Sequence, residues 1–120
     1  MQAEISKTFW FEAAHRLPNV PADHKCSKLH GHSYRVIVTV TGQVKQETGW
    51  VMDFAEIKRV VEPIIEKLDH SYLNDIEGLE NPTSEMLAVW LWQQIKPRLS
   101  GLVSITVSES ENSSCTYRGD

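Results

Sequence analysis

At Asp53 the hydrophobic period of this 120-residue chain changes, and the change limits the folds open to it. Before it, apolar residues alternate. Ile5, Phe9, Phe11, Ala13 and His15 share one parity, with Lys7 the exception. Ser6, Thr8, Glu12 and Arg16 take the other, alongside Trp10. Side chains two apart point the same way in a strand, so residues 4–16 predict a half-buried strand that ends on His15. His30, His32, Tyr34, Val36, Val38 and Val40 make a second such face, with Arg35, Thr39 and Thr41 opposite. After Asp53 the spacing becomes three-and-four: Phe54, Ile57, Val60, Val61, Ile64, Ile65 and Leu68. That pattern predicts an amphipathic helix capped by Asp53, with Pro63 marking a kink or break.

The rest of the chain fits between these elements. Residues 17–29 read as a loop, and Gly42 to Gly49 as a turn into a short strand at Trp50–Met52. Residues 69–82 read as a loop. A second helix begins after Asn81-Pro82, capped by Thr83 or Ser84, and runs to about Lys96 with Leu87, Trp90, Leu91 and Ile95 inward. Val103, Ile105, Val107 and Glu109 alternate with Ser104, Thr106 and Ser108, and a last strand surrounds Tyr117. The expected class is α+β: an antiparallel four-stranded sheet with two helices packed on one face.

A chain of this length predicts one domain, residues 1–120, with one modest core. It leaves little material for a deep private pocket, so a site shared between subunits of a homo-oligomer is expected. The net charge of −4 offers no general attraction for nucleic acid or an anionic membrane. No stretch approaches the roughly 18 apolar residues that a membrane helix needs. The polar N-terminus lacks a signal peptide's apolar segment. Two distant cysteines make no disulfide framework. The expectation is a cytoplasmic protein with Cys26 available as a thiol.

Four of the five histidines and one of the two cysteines fall between positions 15 and 32, among them His15, Cys26, His30 and His32. Imidazole and thiolate are the ligands zinc prefers. His30 and His32 lie two apart in a strand, about 6.6 Å along the chain on one side. Gly31 between them permits close approach. If the first two strands pair, His15 joins them, and three imidazoles leave a fourth position open as in catalytic sites. Cys26 is then either a fourth ligand of a closed Cys-His₃ site or a reactive thiol nearby; spacing alone supports both. Arg16, Lys25 and Lys28 can add a local positive field, or serve only as solvated surface charges.

Two further groups carry chemistry. In Asp69-His70 a carboxylate can orient a proton-relaying histidine. Neighbouring residues usually point apart, however, and a histidine after a helix can simply face the helix dipole. Glu109 continues an apolar parity, and a carboxylate on such a face must find a partner unless the strand has already left the core. It suits a ring that offers adjacent N–H donors.

Four motifs in order carry a resemblance over essentially the whole chain. They are Phe11-Glu12-Ala13-Ala14-His15, Cys26-x₃-His30-Gly31-His32, Leu68-Asp69-His70-x-Tyr72-Leu73-Asn74 and Asn81-Pro82-Thr83-Ser84-Glu85. They resemble the 6-pyruvoyl-tetrahydropterin synthase family, most nearly its bacterial branch that forms 6-carboxy-5,6,7,8-tetrahydropterin for queuosine (7-deazaguanine) biosynthesis. That branch shares the three-residue gap between cysteine and histidine pair; the animal enzymes have a longer one. The resemblance implies a tunnelling fold, in which subunits join their sheets into a barrel, commonly a hexamer of two trimers. It implies zinc on His15, His30 and His32, with Cys26 as catalytic base. It implies a relay of His70 with Asp69 and a pterin-anchoring Glu109 nearby. Thr83 and Ser84 match the pterin-pocket loop. Arg16, Lys25 and Lys28 are candidates for triphosphate contacts, and His24 for a part in the branch-specific outcome. The implied reaction turns 7,8-dihydroneopterin triphosphate and water into the carboxytetrahydropterin, acetaldehyde and triphosphate. The same groups serve triphosphate elimination to 6-pyruvoyl-tetrahydropterin.

Overall fold

Alternation and helical periodicity set the elements of a computed structural model, which describes all 120 residues. Strand β1 (Gln2–His15) and strand β2 (His30–Gln43) form an antiparallel pair in continuous register from Gln2 opposite Gln43 to His15 opposite His30. Helix α1 (Phe54–Leu68) follows, then a two-residue strand β3 (Ser71–Tyr72) and helix α2 (Ser84–Ile95). Strands β4 (Leu102–Ser110) and β5 (Ser113–Tyr117) complete a five-stranded sheet in the order β3-β1-β2-β4-β5. The four long strands are antiparallel, as expected. The short β3 adds to them, parallel to β1 at Ala13 and Ala14.

The buried face fixes the register. Phe9, Phe11 and Ala13 on β1 face Val36, Tyr34 and His32 on β2, and a slip of one residue would turn every one of them outward. Phe11 and Tyr34 stack with centroids 4.8 Å apart. Both helices cover this face. Helix α1 brings Ile57, Val60, Val61, Ile64, Ile65 and Leu68, and α2 brings Leu87, Ala88, Trp90, Leu91 and Ile95. They join one cluster of 24 buried residues. Asp53 caps α1 through the Ala55 N–H, and Thr83 caps α2 through the Met86 N–H. Helix α1 continues through the exposed Pro63, and Phe54, which opens its apolar pattern, is half exposed.

Two expectations fail for local reasons. Residues 50–52 form no strand. The Lys45 N–H bonds to the Trp50 carbonyl and the Gly49 N–H to the Lys45 carbonyl, closing a turn. Val51 is thereby buried against Gly42, where even a Cβ would lie 2.8 Å from its Cγ1. In β4, Leu102 rather than Val103 is buried. Val40 pairs with Leu102 and Thr39 with Ser104, so Val103 is the extra residue of a bulge.

No element of the chain covers the other face of the sheet. Trp10 stands 63% exposed there, with the Arg35 guanidinium 5.9 Å from its ring centroid. The outer edge of β1 is paired with β3 only near His15, and β5 is the opposite edge.

Candidate metal centre and its flanking acid–base groups

The paired ends of β1 and β2 bring three imidazoles together. His15 and His30 are direct cross-strand partners, and His32 lies one strand period further on the same face. Gly31 between them keeps the strands close: a Cβ there would sit 3.3 Å from the Ala13 carbonyl oxygen. Ring centroids are 4.6 Å apart for His15–His30, 5.1 Å for His15–His32 and 4.9 Å for His30–His32. One ligand atom of each lies within 4.8 Å of the others.

The hydrogen bonds set the chemistry of these donors. His15 Nδ1 lies 2.8 Å from the Pro82 carbonyl oxygen, and His30 Nδ1 lies 2.7 Å from that of Lys28. A carbonyl only accepts, so each Nδ1 carries a proton and each neutral ring keeps its lone pair on Nε2. Those two Nε2 atoms face each other at 3.0 Å. Two lone pairs at that distance repel unless a cation lies between the rings. His32 Nε2 is buried and has no hydrogen-bond partner. His15 is fully buried, and burial pushes its pKa down, which favours the neutral ligand form. The set therefore fits a metal ion, with backbone carbonyls orienting two of the ligands. Tyr34 floors the site; its hydroxyl lies 3.2 Å from His15 Nδ1, and burial drives its pKa far up, so it stays neutral.

Glu109 stands beside this centre. It is the unpaired residue between Ser108 and Ser110, where a second bulge interrupts pairing with β5. Such bulges re-aim side chains. Its Oε2 lies 3.4 Å from His32 Nε2, and its Oε1 accepts the Ser84 hydroxyl at 2.9 Å. The start of α2 therefore touches the site twice, through Pro82 on His15 and Ser84 on Glu109. The Thr83 oxygen accepts the Met86 N–H at 3.1 Å.

Cys26 sits half-buried in a 3₁₀ turn, Lys25–Ser27, and does not belong to the converging donor cluster. Arg16 binds the same turn, its Nε donating to the Ser27 carbonyl at 3.2 Å. His24, Lys25 and Lys28 are exposed, and none forms an ion pair. The second cysteine, Cys115 on β5, has its pKa raised by burial and then by Glu85.

Asp69 and His70 do meet. His70 adopts φ 58°, a left-handed conformation rare outside glycine, and the turn folds its ring back until Nδ1 is 3.0 Å from Asp69 Oδ2. Asp69 Oδ1 accepts the Glu12 N–H at 2.9 Å. That bond, and then His70, hold the Asp69 carboxyl below its ordinary range. His70 borders an open cavity of about 530 Å³ that Glu12, Gly31, His32 and Ser33 also line. No hydrogen bond in the chain links it to Cys26 or to the triad.

Sequence reading missed three supports: the Pro82 carbonyl, the Glu12 N–H and Asn74, whose side chain both accepts from and donates to the Arg16 backbone. The first two are backbone groups without a sequence signal. Tyr34 was legible only as a core residue by its parity.

An α+β sheet that presents three converging imidazoles, an adjacent carboxylate and a separate histidine–aspartate pair defines a class: small proteins with three histidines positioned to bind a metal ion and further titratable groups beside them. Comparison with known proteins narrows the class. The chain belongs to the 6-pyruvoyl tetrahydropterin synthase family, whose model matches residues 4–120. It is 44% identical over 119 residues to 6-carboxy-5,6,7,8-tetrahydropterin synthase of Synechocystis, covering 94% of this chain and 91% of that one. It is 37% identical to dihydroneopterin monophosphate aldolase of Pyrococcus furiosus, covering 88% and 85%. Its fold matches the structure of 6-pyruvoyl tetrahydropterin synthase from Caenorhabditis elegans with TM-score 0.92 and 28% identity, covering 100% of this chain and 97% of that one.

Proposed function

We propose that the protein is a zinc-dependent lyase that converts 7,8-dihydroneopterin triphosphate and water to 6-carboxy-5,6,7,8-tetrahydropterin, acetaldehyde and triphosphate, on the cytoplasmic route to queuosine. The observation that carries this reading is the donor geometry. Carbonyls hold the protons of His15 and His30 on Nδ1, their Nε2 atoms face each other at 3.0 Å, and His32 offers a third ligand atom within 4.8 Å. The 44% identity to the Synechocystis enzyme and the three-residue gap from Cys26 to His30 favour the carboxy product.

His15, His30 and His32 would hold the ion, which supplies Lewis acidity toward the substrate's side-chain hydroxyls. Cys26 takes a proton from the side chain. His70, oriented by Asp69, handles the proton on the opposite side, and carbon–carbon cleavage follows as a retro-aldol step. Glu109 anchors the pterin by accepting its ring N–H groups, with Thr83 and Ser84 at the same pocket. Arg16, Lys25 and Lys28 supply positive charge for the triphosphate. The absence of Cys26 from the donor cluster argues against a closed Cys-His₃ binding module.

A second reading, elimination of triphosphate to 6-pyruvoyl-tetrahydropterin, is favoured by the structural likeness to the nematode enzyme. Mass spectrometry of the products from zinc-loaded protein and dihydroneopterin triphosphate separates the two. The carboxy product with acetaldehyde is expected. The pyruvoyl product alone would establish the second reading, and no turnover of this substrate would overturn both.

A further inference from the structure

We propose that His24 is a positioning residue that fixes Cys26 through its main chain rather than a contact to the substrate. The inference rests on Cys26 acting as the base. His24 is the N-cap of the 3₁₀ turn Lys25–Ser27, and its Nδ1 accepts the Cys26 N–H at 3.0 Å. Ser, Thr, Asp and Asn usually fill this place. To accept, Nδ1 must be unprotonated, so the ring is held as the neutral tautomer with its proton on Nε2.

The turn needs this bond because packing does not hold it. None of its three residues is buried, and residues 17–29 contain no other regular element. Its position is therefore set by hydrogen bonds. The Cys26 carbonyl accepts the Leu17 N–H at 2.8 Å. Ser27 is held on both sides, its hydroxyl on the Ala22 carbonyl and its own carbonyl under Arg16 Nε. The Lys28 carbonyl accepts from His30, so the turn runs straight into a candidate metal ligand. Among these bonds, that of His24 is the one a side chain makes to Cys26 itself. Without it the Cys26 N–H has no partner in the chain, and the thiol is free to leave the direction a proton transfer requires. Reach and alignment come before acidity for a general base.

The test compares His24→Ala and His24→Asn in the zinc-loaded protein. Asparagine keeps a neutral acceptor at the cap. For His24→Ala we expect full zinc content, KM within about twofold, kcat lowered about fivefold to tenfold, as removal of a cap implies, and faster exchange of the Cys26 amide proton by NMR. His24→Asn should restore both kcat and amide protection. Unchanged amide exchange or unchanged kcat in His24→Ala overturns the proposal. So does an Asn variant that protects the amide yet fails to restore kcat, which would place the imidazole against the substrate. Amide exchange does not depend on turnover, so failure of the base reading, seen as full activity in Cys26→Ala, is distinguished from failure of the cap.

Discussion

His15 is the residue on which the centre turns. It ends β1, is fully buried, and donates its Nδ1–H to the Pro82 carbonyl while offering Nε2 to its neighbours. Burial lowers its pKa, so the folded state favours the neutral ring. The unfolded chain takes up that proton near the ordinary value of about 6.5. The resulting linkage gives stability that is fully present above about pH 6.5 and is lost as pH falls below it. For metal-free protein, melting temperature should decline between pH 7 and pH 5, and His15→Gln should flatten that decline. An unchanged slope in His15→Gln would assign the acid sensitivity elsewhere. Asp69, with a lowered pKa, contributes in the opposite part of the scale, its share being lost only as pH falls below about 4. At this scale much was readable. Parity alone placed His15, His30 and His32 on meeting faces. It did not foresee the union of Asp69 with His70, because adjacent residues diverge unless the backbone turns left-handed, and His70 carries no sequence mark of its φ 58°.

Among the elements, the start of α2 does the most to connect fold and site. Pro82 meets His15, Thr83 caps the helix and Ser84 meets Glu109. Thr83→Ala should cost about 1 kcal/mol of stability, the usual effect of deleting a cap. Because the frayed turn also releases Pro82 and Ser84, zinc affinity should fall with it, while Asp53→Ala at the α1 cap should cost similar stability and leave zinc affinity unchanged. Thermal melts and competition with a chelator measure the two effects; equal zinc affinity in both variants would separate the α2 cap from the site. The long elements were legible because their burial repeats over many residues. The errors are short and local. Strand β3 has two residues, too few to show a period. Residues 50–52 are apolar and follow a turn, as the second strand of a hairpin would, yet Val51 is needed as packing over Gly42. The bulge at Val103 moved the buried position to Leu102, while Ile105 and Val107 kept theirs.

The whole molecule leaves much of its sheet without a partner. It is an elongated body of 57 × 24 × 22 Å with one sheet face uncovered, Trp10 exposed on it, and two edges available for pairing. Long open edges are normally protected by a partner. The assembly that the family resemblance implies, with subunit sheets joined into a barrel and commonly a hexamer of two trimers, would pair those edges. The placement of the chemistry points the same way. Cys26 lies in the loop between β1 and β2, the Asp69–His70 pair is held by the Glu12 backbone, and no hydrogen bond joins them within the chain. If the site draws the thiol from one subunit and the relay from another, two inactive variants can repair each other. Native mass spectrometry should give six times the 13.7 kDa chain. Cys26→Ala and His70→Ala, each inactive alone, should recover about a quarter of wild-type turnover after equal mixing and reassembly, since random assembly pairs an intact thiol with an intact relay at that fraction of shared interfaces. Sites contained within one chain would recover none, because each chain in the mixture lacks one of the two groups.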